Sequence, residues 1–205
     1  IQTEWLKIRS YRAFWGVMAI TALSYPGINY IFYNAYLDIT KKGSATGEMA
    51  KMLLGNPFSF PETFHTAGFF SSFFVFIPAI VVIMLITNEY TYKTHRQNII
   101  DGWSRNTFLL SKFFDVLLIT ILVTLIYVLV ALPIGYASTK TPEKDIWGKA
   151  YYAGLFALQT FSQLSFAFLI GFLVRKSFIA LSIFIFYYLI FENTAVNLLK
   201  LKAND

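Results

Sequence analysis

The chain has 205 residues and a net charge of +6, with 57% hydrophobic, 19% aromatic and only 14% charged side chains. That balance is more apolar than an ordinary soluble domain and points to a membrane protein. The basic residues are scattered among loops instead of forming a stripe with stacking aromatics, which argues against nucleic acid. The absence of cysteine removes disulfides, thiolate metal sites and cysteine nucleophiles from consideration.

Near its start the chain reads TEWLKIRSYRAFW, Thr3 to Trp15, which predicts an interfacial helix over residues 1–12. Thr3 caps it, Glu4 sits in its first turn, Trp5, Ile8 and Trp15 form a broad apolar side, and Lys7, Arg9 and Arg12 suit lipid headgroups. A spanning helix needs ~20 mostly apolar residues, and charge-free windows of about that length predict spans at about 13–37, 66–87, 113–137 and 150–174. Pro26, Gly27, Asn29 and Asn34 weaken the first and predict a kink or an irregular end. A further window, 177–192, is short for a span, with a re-entrant hairpin as the competing reading. The longest linker, Asp38 to His65, holds a turn at Lys41-Lys42-Gly43-Ser44 and a surface helix at EMAKMLL.

Orientation follows from the positive residues of short loops. With the N-terminus inside, Lys and Arg divide almost evenly between the two sides. The arginines (Arg9, Arg12, Arg96, Arg105, Arg175) nevertheless all fall inside, and most acids fall outside. The N-terminus is therefore placed in the cytoplasm.

Residues 88–105 then form a polar, basic cytoplasmic insert between the second and third spans. Asn88 is expected to cap a short surface helix with Glu89 in its first turn, Gly102 to end it, and Ser104 to cap the helix of the third span. On the short helix Tyr92, Arg96 and Ile99 share one face, and Lys93, Gln97 and Ile100 form the neighbouring row. By residue chemistry alone this is an interfacial helix, its Lys and Arg on headgroups and its Tyr and Ile at the acyl boundary.

The order of residues says more. The pattern E-Y-x-Y-K-T-x-R-Q-N-I-I-x-G-x-S-R-x-x-F-L-L-S-K, Glu89 through Lys112, resembles the segment after the second span in membrane subunits of ABC-type exporters of the second class (ABC-2 permeases). Glu4-Trp5-Leu6-Lys7, leading into a first span, is similar to the amphipathic connecting helix of that family. The resemblance covers residues 1 to about 192. It implies an all-α, polytopic transmembrane helical bundle with an N-terminal connecting helix and a cytoplasmic coupling helix, here 88–105, seated in a groove on a separate ATPase subunit. Glu89, Tyr90, Tyr92, Lys93, Thr94, Arg96, Gln97 and Arg105 are the residues it assigns to that contact. The family usually has six spans, so a sixth is expected although none is evident: either a C-terminal piece is lacking or disordered, or this member is unusual.

The resemblance further implies a second permease subunit, the same or homologous, a bacterial inner membrane around them, and ATP with Mg bound by the partner ATPase, none by this chain. Phe70, Phe73 and Phe74 of the second span and Gln159 and Gln163 of the fourth are candidates for lining a path; lipid contact and interhelical hydrogen bonds are the plainer readings. His65 and His95 are predicted on opposite sides of the membrane, so no metal site is expected. No ionisable group stands in the middle of a window, Asp115 and Glu192 lying at span edges, so a proton- or sodium-coupled carrier lacks its relay. No P-loop, H-E-x-x-H or nucleophile–base motif occurs, so the chain is read as non-catalytic. The rival reading is a membrane anchor or assembly subunit that transports nothing.

Overall fold

The computed structural model describes residue 9, residues 11–40, 49, 52, 55–94, 104–139 and 146–191. Among these residues the structure is all α-helical. Helix α1 spans Arg12–Ile39, α2 Thr63–Ser72, α3 Phe76–Thr91, α4 Arg105–Ser138, α5 Tyr151–Val174 and α6 Ser177–Phe186, the last followed by a π-helical turn, Tyr187–Phe191.

Two of these, α4 and α5, are long and apolar enough to cross a membrane; α2 and α3 together would supply a third, bent at the break between them. Of the four full windows and short fifth read from the sequence, α4 and α5 occupy the third and fourth, and the fifth coincides with a shorter apolar helix, Ser177–Ile190. The first window does form a 28-residue helix, but it does not qualify as a span by composition. Its polar residues dilute it, and they are held on their own backbone: Thr21 donates to the Val17 carbonyl at 3.0 Å, Ser24 to Ile20 at 2.7 Å and Asn29 to Tyr25 at 2.8 Å. Such back-bonding satisfies side chains locally, and the helix runs on through Pro26 instead of ending irregularly.

The second window begins earlier than expected, at Thr63, breaks at Phe73–Val75 and ends later, at Thr91. The third is a 34-residue helix starting at Arg105. At ~1.5 Å per residue its length exceeds the ~30 Å hydrocarbon layer, so part of it extends beyond the layer. Ser104 caps it as the sequence suggests: the Thr107 N–H donates to Ser104 Oγ at 3.1 Å. The interfacial helix at 1–12 lies outside the described residues except Arg9 and those from Tyr11 on, and the surface helix near 48–54 except Met49 and Met52.

The helices fall into two compact units. One comprises residues 1–15, 76–119 and 161–205. Its core is Phe14, Ile77, Ala79, Val81, Val82, Ile83 and Ile86, with Val116 and Ile119 of α4, Leu164, Ala167 and Ile170 of α5, and Ala180 and Phe184 of α6. Gly171 lets α5 approach α3 closely, a Cβ there standing 3.5 Å from Ile86 Cβ and 3.6 Å from Ile83 Cα.

The other unit comprises residues 16–75 and 120–160. Aromatic rings fill it: Tyr127 stacks on Phe156 with centroids 4.5 Å apart, and Tyr25 meets Phe156 edge-on at 6.2 Å. The buried Tyr127 hydroxyl donates to the Phe64 carbonyl in the first turn of α2 at 2.6 Å, and Asn29 donates to Ser71 Oγ at 3.1 Å. Both bonds remove polar atoms from hydrocarbon that offers no partner.

Candidate functional site

Among the described residues, the last turn of α3 gathers a dense set of polar contacts. Asn88 does not cap a new helix there. The helix continues through it, the Tyr92 N–H bonding to the Asn88 carbonyl at 2.9 Å, and ends only at Lys93, whose φ of 56° places it in the left-handed region. A positive φ at a non-glycine residue is a common way to stop a helix and costs free energy.

What holds Glu89 on α3 is an ion pair. Lys112 Nζ of α4 lies 2.8 Å from Glu89 Oε1 and 3.6 Å from Asp115 Oδ2, one turn further along α4. Thr94 donates to the second Glu89 oxygen at 2.9 Å. All three ionised groups are buried: Glu89 is 6% exposed, Lys112 5% and Asp115 8%. The neighbouring wall is apolar, made of Val82, Leu85 and Ile86 of α3 with Val116 and Ile119 of α4. Charges in such surroundings persist only when paired and hydrogen-bonded, and Glu89 meets that condition through Lys112 and Thr94.

The adjoining residues of the same turn reach other elements. Asn88 Nδ2 donates to the Tyr11 hydroxyl at 2.8 Å. Thr87 Oγ1 lies 2.6 Å from Ser177 Oγ and 2.8 Å from the Ile83 carbonyl. A hydroxyl has one proton to give; with Thr87's given to Ile83, Ser177 is the donor to Thr87. The Tyr90 ring meets Phe172 edge-on at 6.0 Å, and Arg175 Cζ stands 5.1 Å above its face, close enough for a cation–π interaction.

Of the residues expected to contact a partner, Glu89 is therefore buried in an ion pair, Tyr90 is half-buried against Phe172 and Arg175, and Thr94 is half-buried on Glu89. Tyr92 is 74% exposed and Lys93 is exposed. Arg105 opens α4; Arg96 and Gln97 lie outside the described residues, as does His95. Among the path-lining candidates, Phe70 stacks on Phe32 at 3.9 Å, Phe73 is 52% exposed and Phe74 half-buried. Gln159 is exposed whereas Gln163 is buried, so these two residues on one helical row face different surroundings. Among the described residues no group of three His, Asp or Glu is arranged for a metal.

Sequence reasoning missed Tyr11, Lys112, Asp115 and Ser177 as members of this cluster. The available signal was Lys112 and Asp115, three apart at the start of a long apolar run. Charges at that spacing share a helix face, and an acid at the end of the preceding run completes the set.

The sequence model of a family described as ABC-2 family transporter protein matches residues 1–191. The chain belongs to that family. No curated protein and no solved structure shows a match. As an ABC-2 family transporter protein it is an integral membrane component of a transport system, and its apolar helices α4 and α5 suit that setting. The family match covers the whole of the charged cluster and the segment between α3 and α4.

Proposed function

We propose that this chain is the permease subunit of an ATP-driven ABC exporter, in which a separate cytoplasmic ATPase subunit hydrolyses ATP with Mg and this chain moves substrate across the membrane. It works beside a second permease subunit, the same or homologous, in a bacterial inner membrane with its N-terminus in the cytoplasm. Residues 92–104 meet the ATPase, with Tyr92, Lys93, Arg96 and Gln97 offering the contact.

One observation carries this reading beyond family membership. The buried Glu89–Lys112 pair fastens the end of α3 to the start of α4, so the two ends of the intervening segment, residues 92–104, are tied together. A force applied to a segment tied in this way acts on both helices at once, which is what coupling to a motor requires. A plain lipid-facing anchor needs no buried ion pair at its root.

Gentle purification from native membranes followed by mass spectrometry tests the proposal. A stoichiometric ATPase carrying Walker motifs is the expected companion. Its reproducible absence, under conditions that preserve other membrane complexes, would make the chain a non-transporting anchor or assembly subunit.

A further inference from the structure

Successive residues of an α-helix point about 100° apart, so four in a row sweep the full circumference. In the last turn of α3 each of four consecutive residues uses its direction to hold a different element. Thr87 holds Ser177 at the start of α6, and Asn88 holds Tyr11, which precedes α1. Glu89 holds Lys112 in the second turn of α4, and Tyr90 holds Phe172 and Arg175 at the end of α5. The contacts span sequence separations from 23 to 90 residues, the latter between Thr87 and Ser177, and all lie within one compact unit. Their chemistry is directional: two hydrogen bonds, one ion pair and one cation–π contact. Apolar packing alone lets helices slide, whereas paired polar groups in apolar surroundings have one satisfied arrangement and resist leaving it.

We infer that the last turn of α3 is a transmission hub, with Thr87, Asn88, Glu89 and Tyr90 as positioning residues that make the ends of α4, α5 and α6 and the start of α1 follow any movement of residues 92–104. This deepens the proposed function and rests on it: the permease reading supplies the movement, and the hub distributes it. Only α3 and α4 are joined to the segment by the chain itself. The α6 start is reached through Thr87 and Ser177, so α6 is where loss of the hub is read most directly.

The chain lacks cysteine, so labels are introduced without background. Spin labels at Leu110→Cys on α4 and Phe178→Cys on α6, positions 54% and 82% exposed, report the separation of these two helix ends. The full complex with its co-purified ATPase is placed in lipid nanodiscs, and the separation is measured without nucleotide and with a non-hydrolysable ATP analogue plus Mg. The hub predicts one separation in both states for the parent chain, because the ends move as a body. In Thr87→Val/Asn88→Ala, and independently in Ser177→Ala, the separation becomes nucleotide-dependent while the amount of bound ATPase and the unfolding temperature stay near the parent values. A parent separation that changes with nucleotide, or variants that keep a single separation, overturns the hub. A merely stabilising role lowers the unfolding temperature and leaves the separation insensitive to nucleotide. If no ATPase accompanies the parent chain, the permease reading itself fails, a result separate from either of these.

Discussion

Gly135 shows how a single residue can be fixed by its surroundings. It lies inside α4, where alanine is intrinsically better by about 1 kcal/mol, yet a Cβ at this position stands 2.7 Å from Cε1 and Cε2 of Phe60. The ring is 1% exposed, held between Phe64 and Tyr136, and the Phe60 N–H bonds to Thr139 at 3.1 Å. It has no room to yield. Overpacking of this kind costs about 1–3 kcal/mol, so Gly135→Ala is expected to be net destabilising, read as a lower unfolding temperature of the purified protein. Lys149 and Glu62 illustrate a contact near the surface. The Glu62 carboxylate, accepting a hydrogen bond from Lys149, raises the lysine above its ordinary 10.5. A cation whose folded value is raised contributes stability that is complete below the ordinary value and fades as pH rises through the raised one. The difference in unfolding temperature between the parent and Glu62→Gln is therefore expected to be constant from neutral pH up to the lysine range and to shrink above it. A difference that shrinks on acidification towards neutral pH would contradict the assignment.

Among the described elements, α3 and α4 are joined by charge. Lys112 stands between Glu89 and Asp115 with all three buried. Removing the ammonium leaves two carboxylates in apolar surroundings, a change that costs about 3–5 kcal/mol for a broken buried pair. Glu89→Gln instead leaves Lys112 beside Asp115. The expected order is that Lys112→Ala lowers the yield of monodisperse protein far more than Glu89→Gln does, measured by size-exclusion chromatography in mild detergent. Equal yields would mean that the cluster is better solvated than its burial indicates. The same ion pair explains why the helix boundary differs from the sequence expectation. Asn88 and Glu89 have the composition of a helix start, a polar cap followed by an acid. That preference is worth about 1 kcal/mol, less than the cost of pulling Glu89 away from Lys112, so the turn joins α3. Ser104 met no such competitor, and the cap read from sequence is the cap observed.

For the whole molecule, the proposed coupling predicts a division of labour along the segment after α3. Tyr92 is 74% exposed, two residues beyond the half-buried Tyr90, and its ring contributes nothing to the core. Tyr92→Ala is expected to leave the protein's yield and unfolding temperature unchanged and to reduce the ATPase retained through purification by about tenfold, the loss of roughly 1.4 kcal/mol that one exposed aromatic anchor contributes to an interface. Retention at the parent level would move the contact to residues beyond Thr94. The polar Gln159 and Gln163, four apart on α5, invite a single role, but one is exposed and the other buried.

By itself the sequence determined the membrane setting, the all-α class, the two strongest spans and the start of α4. Hydropathy, helix caps and charge-free windows are local quantities, and in lipid only a helix satisfies a backbone segment by itself. It also carried the family, because an ordered motif survives in the chain whatever the chain folds into. Tertiary structure alone decided which polar residues meet. The partners of Thr87, Asn88 and Glu89 lie 90, 77 and 23 residues away. No local preference encodes such pairings; they form because four helix ends converge on one turn and each buried polar group must find a partner there.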